Sequence, residues 1–335
     1  MTDIFLIFDN SLYQGLQYGL LALSLFISLR LLDFPDLTIE GSFAAGAATT
    51  FACVHYFGLG VISLFVATVV GFLAGMCTGM LHTRLRIGKL LSGIIVAVGL
   101  YSINFRIMGA QANGYILPGE NPASVLRIAN AAVAGWFTGN NPARPLYVYP
   151  VSNAILLIGI ALIILAIFVF LRSERGSVLR FTRAENKLFL ESIGQDYAGN
   201  LVVGLGMANA VAALAGGLVA FANGSASLTM GFGIILVALV AVVLGEAIVQ
   251  VFHRELTDLW PVLLAPIFGA FAYYLILRTV QELNTAWQIH HGAPDPTFQL
   301  QYFQTDVKLL SVAILVVISA FRRRQVGGVY LPERL

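Results

Sequence analysis

The chain has 335 residues, of which 58% are hydrophobic and 11% charged. Soluble domains carry about 25% charged residues, so the composition is that of an integral membrane protein, and a net charge of +2 gives nucleic acid nothing to bind. The two cysteines, Cys53 and Cys77, both lie in apolar runs, which excludes a disulfide framework and a thiolate metal site.

The N-terminal MTDIFLIFDN is acidic and lacks both a basic region and a small-residue cleavage site. It is therefore read as retained, with the membrane spans themselves directing insertion. A helix needs about 20 apolar residues to cross the hydrocarbon core. Nine stretches qualify, at about 11–32, 40–57, 60–82, 89–108, 152–171, 199–222, 231–251, 259–280 and 304–321. The predicted fold is a single all-α, polytopic transmembrane domain over residues 1–335. Its second span is the weakest, because LDFPDLTIEGS, residues 32–42, carries Pro35, which a regular helix interior does not accommodate. A broken or re-entrant helix is expected there, tolerated only against protein or a water-filled cavity.

Basic residues set the orientation. His82, Arg84, Arg86 and Lys89 follow span three; Arg172, Arg175, Arg180, Arg183 and Lys187 follow span five. His253 and Arg254 follow span seven, and Arg322, Arg323 and Arg324 follow span nine. These loops alternate, so all are cytoplasmic together, including the loop 172–198. The long loop 109–151 and the loops 223–230 and 281–303 are then outside. Nine spans put the N-terminus outside and the C-terminus in the cytoplasm. Span three holds Gly71, Gly75 and Gly79 on one helix face, and Gly15 and Gly19 repeat the spacing in span one; such faces allow close helix approach. Tight packing within one subunit is favoured over a dimer seam.

Catalytic chemistry is missing. Gly88-Lys89 is followed by leucine and lacks the upstream glycine of a phosphate loop, so no ATP site of that kind exists. Nothing matches HExxH or CxxC, Ser225 and the inner histidines His82 and His253 fall on opposite sides, and His290-His291 reads as a solvated pair. No catalytic and no metal-ligating residue is assigned, and the chain is expected to need no cofactor of its own.

Polar groups inside the membrane carry the functional signal, because charge there costs about 2.5–3.5 kcal/mol per residue on insertion scales. Glu40 and Ser42 open span two beside the Pro35 break. Asn104 and Arg106 lie in span four, Asn209 in span six and Glu246 at the inner end of span seven. Glu40, Ser42, Asn104, Arg106 and Asn209 are the candidates for lining a substrate pathway. The structural alternatives are a snorkelling Arg106, an Asn209 that bonds helix to helix, and a Glu246 that pairs with a cytoplasmic cation. Glu40 is the most interesting, since a discontinuous helix can present polar groups to a solute.

SVLRFTRAENKLFLESIGQD, from Ser177, reads as one amphipathic helix: Phe181, Ala184 and Leu188 share a side, Leu190 and Ile193 extend it, and Gly194 stops it. Physics leaves two roles open, a helix lying on membrane lipid or a helix docked in a partner's groove.

Four passages carry a resemblance: DLTIEGSFAAGAA from Asp36, GKLLSGIIVAVGLYSINFRIMG from Gly88, GSVLRFTRAENKLFLESIG from Gly176, and GFGIILVALVAVVLGEAI from Gly231. In order and over most of the chain they resemble ABC importer permeases of the branched-chain amino acid and ribose permease family, particularly the subgroup with tryptophan and tyrosine importers. The resemblance implies an ATP-driven importer of a small, amino-acid-like solute in the bacterial plasma (inner) membrane. Its implied partners are a second permease copy, a cytoplasmic ATPase dimer that holds the ATP and Mg, and an external solute-binding protein landing on loop 109–151, with Trp136 and Tyr147 as contacts. It also implies that the loop 172–198 carries a coupling helix, with Leu179, Arg180, Phe181, Asn186, Leu188 and Gly194 meeting the ATPase. Members usually have Arg-Ala-Thr-Gly where this chain has Arg180-Phe181-Thr182-Arg183, which shifts the expected register of that helix. The alternative is an ion- or proton-coupled secondary transporter acting alone, with Glu40 or Glu246 as its coupling carboxylate.

Overall fold

The computed structural model describes residues 2–116, 149–252, 259–290 and 313. Among them the chain is mostly helical. In order, α1 (Thr2–Phe26) runs into a π-helical turn (Ile27–Leu31), followed by α2 (Thr38–Phe57), α3 (Ile62–Thr83), α4 (Lys89–Ile107) and a short strand β1 (Asn113–Tyr115). From Pro150 on come α5 (Pro150–Arg172), α6 (Glu174–Arg180), a 3₁₀ turn (Ala184–Asn186), α7 (Lys187–Ser192), α8 (Tyr197–Asn223), β2 (Ser225–Ser227), α9 (Ile234–Phe252) and α10 (Leu259–His290).

Six helical segments among the described residues are long and apolar enough to cross a membrane: Phe5–Leu31, Ile62–Thr83, Lys89–Ile107, Pro150–Arg172, Tyr197–Asn223 and Leu259–Leu283. The chain is a multi-pass membrane protein. The expected stretches 40–57 and 231–251 are helical as well, as α2 and α9, but the apolar part of α9 is shorter, at Ile234–Gln250. Apart from residue 313, the expected stretch 304–321 lies outside the described residues, as do Trp136, Tyr147, His253, Arg254 and the arginines 322–324. The helix at the expected stretch 259–280, α10, runs on to His290.

The helices form two classes. α1, α2 and α8 are largely buried, whereas α3, α4 and α5 turn apolar side chains such as Phe65, Leu73, Ile94, Val98, Ile158 and Leu162 outward. Lipid is as apolar as those side chains, so inner helices meet through close backbone contact rather than hydrophobic expulsion. At the crossing of α2 and α8, a Cβ on Gly46 would strike the Ala213 carbonyl, and one on Gly216 would strike the Phe43 carbonyl. Gly71, Gly75 and Gly79 of α3 face α8 at Ala213 and Asn209, Leu205, and Val202. Gly15 and Gly19 of α1 sit on Phe271 and Ile267 of α10.

β1 and β2 pair antiparallel, with Gly114 opposite Ala226. They tie the end of α4 to the end of α8. Gly114 is required there because the Phe51 ring of α2 fills the space a side chain would take.

The expected single amphipathic helix after Ser177 is corrected to two short ones. α6 is capped by Ser173, whose hydroxyl accepts from the Gly176 N–H at 3.2 Å, and ends at Arg180. A turn follows, in which Thr182 Oγ1 donates to the Val178 carbonyl at 2.9 Å and Asn186 Nδ2 to the Phe181 carbonyl at 3.2 Å. Side chains that bond local carbonyls compete with helix continuation, and here they win. Gly194, at φ 76°, closes α7 in the left-handed conformation that glycine favours.

Candidate functional site

Between the π turn and α2 the backbone is non-helical from Leu32 to Leu37. Pro35 supplies the local reason, and Asp36 uses the break. Its Oδ1 accepts from the Thr38 N–H at 2.9 Å, satisfying one of the donors that a helix start leaves open. Its Oδ2 accepts from Asn209 Nδ2 of α8 at 2.6 Å, and Asn209 Oδ1 in turn accepts from Ser42 Oγ at 2.7 Å. Thr38 Oγ1 extends the network to Thr78 of α3 at 2.6 Å. Asp36, Thr38, Ser42, Thr78 and Asn209 are all buried. One hydrogen-bonded set therefore joins α2, α3 and α8 at the first turns of α2.

Ser42 and Asn209 thus meet directly, and Asn209 is a helix-to-helix bond as well as a candidate pathway residue. Asn104 of α4 is buried on the next face of α2, with Nδ2 3.5 Å from the Gly41 carbonyl and Oδ1 without a hydrogen-bond partner. Glu40 is half-buried in the first turn of α2, and its Oε1 accepts from the Gly233 N–H at 2.9 Å. Gly233 immediately precedes α9, so the carboxylate sits at the positive end of that helix. Gly231 lies so near the Glu40 carbonyl that a Cβ there would collide with it. Arg106 is not gathered with these groups; it is exposed in the last turn of α4. Tyr101 of α4 stacks on Phe232 beside Glu40's partner Gly233, with ring centroids 5.9 Å apart. Among the described residues no three His, Cys, Asp or Glu side chains gather where one metal ion could be held.

At the other end of α9, Glu246 is buried and pairs with Arg30 of the π turn. Arg30 had no place among the sequence-derived candidates, nor did Asp36. The sequence signal for Asp36 was its position between Pro35 and the first turn of α2; Arg30 gave none, being one basic residue at the end of an apolar run.

In the loop 172–198 the candidate residues divide by exposure. Leu179 is buried, as is Leu190. Phe181 and Leu188 are exposed, as are Phe189, Ile193 and Gly194, and Arg180 and Asn186 are half-buried. Arg183 Nη2 donates to the Arg30 carbonyl at 2.9 Å, which anchors the loop to the π turn. The site as a whole has a polar set around α2 and an apolar exposed surface on the basic-flanked loop, and Arg30 links that loop to α9.

The family model described as "Branched-chain amino acid transport system / permease component" matches residues 7–319. A tyrosine transport system permease protein of Clostridioides difficile (strain R20291) is 26% identical over 309 residues, covering 92% of this chain and 88% of that protein. The uncharacterized protein RP368 of Rickettsia prowazekii (strain Madrid E) is 31% identical over 239 residues, covering 71% of this chain and 76% of that one. No solved structure gives a significant match.

Proposed function

The chain belongs to the branched-chain amino acid transport system permease family, as the membrane permease subunit of an ABC importer, and on that premise we propose how it works. It imports an amino acid. Partner ATPase subunits bind ATP and Mg, close on one another, and act on the loop 172–198. An external solute-binding protein delivers the solute. The chain performs no covalent chemistry itself. It works as a pair of identical copies in the bacterial plasma membrane, with nine spans, the N-terminus outside and the C-terminus in the cytoplasm, and the irregular stretch 32–37 as the break before its second span.

The single observation that carries the coupling reading is the exposed apolar set Phe181, Leu188, Phe189 and Ile193 on a loop flanked by Arg172, Arg175 and Lys187. Exposed apolar side chains on a short, turn-broken segment fit a protein groove better than a membrane surface, where a continuous amphipathic helix would be expected. Glu40 and Asn104 are the residues proposed to act on the pathway, because each has a polar group within reach of a neighbouring helix at the first turns of α2. The name of the Clostridioides difficile relative makes L-tyrosine the first solute to test.

The test is reconstitution. The permease, its cognate ATPase and its binding protein in proteoliposomes should accumulate the solute only when ATP is supplied. Uptake by the permease alone, driven by an ion or proton gradient, would overturn the reading in favour of a secondary transporter.

A further inference from the structure

The contacts between the cytoplasmic loop, the π turn and α9 form a continuous mechanical connection. The loop bonds the turn directly at one point, and meets the residue after it at a shared site on α8. Arg183 donates to the Arg30 carbonyl at 2.9 Å, and Leu179 and Leu32 together fill the space above Gly204 of α8. The Arg30 side chain then grips α9: Nε and Nη2 each reach one oxygen of Glu246 at 2.7 Å, a two-pronged geometry that fixes direction as well as distance. Gly233 lies about 20 Å further along the same helix, by the rise of 1.5 Å per residue, and its N–H holds Glu40. α9 packs backbone to backbone on α10, Gly245 against the Ala265 carbonyl and Gly269 against the Ala241 carbonyl. The turn that Arg30 belongs to is irregular. Its π winding ends in Asp33 at φ 50°, a conformation few non-glycine residues adopt, and Lys89 Nζ holds that residue at its carbonyl, 2.6 Å, and at Oδ2, 3.2 Å.

The Arg30 side chain is 41% exposed and the Glu246 side chain 11%, so the guanidinium fork reaches in from the surface to a buried carboxylate.

We infer that Arg30 and Glu246 are positioning residues that transmit loop movement through α9 to Glu40, so that α9 acts as a rigid strut between the cytoplasmic loop and the first turns of α2. This rests on the coupling reading given under Proposed function.

The test uses the whole transporter with its ATPase. Phe232→Cys, at the exposed residue before Gly233, is labelled with bimane, which Tyr101 quenches at close range, in a chain with Cys53→Ala and Cys77→Ser. Trapping the ATPase with ATP and vanadate should change the emission. Arg30→Glu or Glu246→Arg should remove that change while the ATPase still co-purifies, and the double exchange should restore it. Should charge reversal impair assembly, Arg30→Gln, which removes the fork without adding charge, is read in the same way. Emission that changes equally in the single variants, that never responds in the unaltered pair, or that the double exchange fails to restore would overturn the inference. Failure of the unaltered chain to retain the ATPase would instead bring down the coupling reading, and the strut with it.

Discussion

Ser42 of α2 donates to Asn209 of α8 at 2.7 Å, at a crossing where the two helices approach backbone to backbone. The same asparagine donates to Asp36 at 2.6 Å. One side chain therefore satisfies a hydroxyl and a carboxylate that are both buried. Removing one partner of a buried bond costs about 1–3 kcal/mol, more where a charged group is left. Asn209→Ala is expected to destabilise the protein by about 2 kcal/mol or more, because it takes the partner from the Ser42 hydroxyl and from Asp36 Oδ2, while Asp36 Oδ1 keeps the Thr38 N–H. Ser42→Ala removes one neutral bond and should cost about 1 kcal/mol. Reversible unfolding of the purified permease in mixed micelles orders the two variants; equal losses would show that Asp36 does not depend on Asn209.

Close helix approach makes a second prediction. A Cβ on Gly75 would meet the Leu205 carbonyl, whereas one on Gly159 of α5 would meet nothing within 4 Å. Overpacking costs typically about 1–3 kcal/mol, and a rigid carbonyl gives way less readily than a side chain. Gly75→Ala should lower the yield of monodisperse protein in size-exclusion chromatography, and Gly159→Ala should leave it unchanged. Equal behaviour would mean that α3 and α8 can separate without penalty.

On the proposed coupling role, substitutions in the loop 172–198 should separate docking from folding. Leu188 is 80% exposed and Leu179 is 2% exposed, although both are leucines on neighbouring turns of sequence. Leu188→Glu should abolish co-purification with the ATPase and leave the permease folded. Leu179→Glu buries a charge against Leu32 and Gly204, so it should destabilise the permease itself by several kcal/mol. Retained ATPase binding by Leu188→Glu would remove this surface from the interface.

The six helices long enough to cross a membrane were legible because a 20-residue apolar run has few alternatives in a membrane chain, and Pro35 marked the non-helical stretch 32–37 for a plain steric reason. The glycine faces of α1 and α3 could be read as close-packing faces, though not which helix they meet. Asn209 was legible as a polar group that needs a partner, and Glu246 as one that pairs with a cation. Their partners were not. Asp36 and Arg30 lie far from Asn209 and Glu246 in sequence, and nothing local encodes which helices become neighbours. The loop misled for a related reason. Its apolar spacing fits one helix, but Arg183 and Leu179 are drawn to the π turn, and that tertiary contact, with the competing bonds of Thr182 and Asn186, outweighs helical propensity.

Glu40 gives the most direct probe of the transport pathway. Its carboxylate accepts from Gly233 at the start of α9, and its helix carries Ser42 one half-turn on, facing Asn209. Glu40→Gln keeps an oxygen that can accept from Gly233 and loses only the charge. Glu40→Ala loses both. If the geometry at the α9 terminus matters most, Glu40→Gln should retain most uptake while Glu40→Ala reduces it about tenfold or more, a barrier change of roughly 1.4 kcal/mol. If the charge itself acts on the solute, both variants should fall together. Asn104→Ala, which removes the group next to the Gly41 carbonyl, should reduce uptake by a smaller factor. ATP-dependent accumulation of tritiated L-tyrosine, scaled to the amount of assembled transporter, distinguishes these cases. Normal uptake by both Glu40→Ala and Asn104→Ala would take the first turns of α2 out of the pathway.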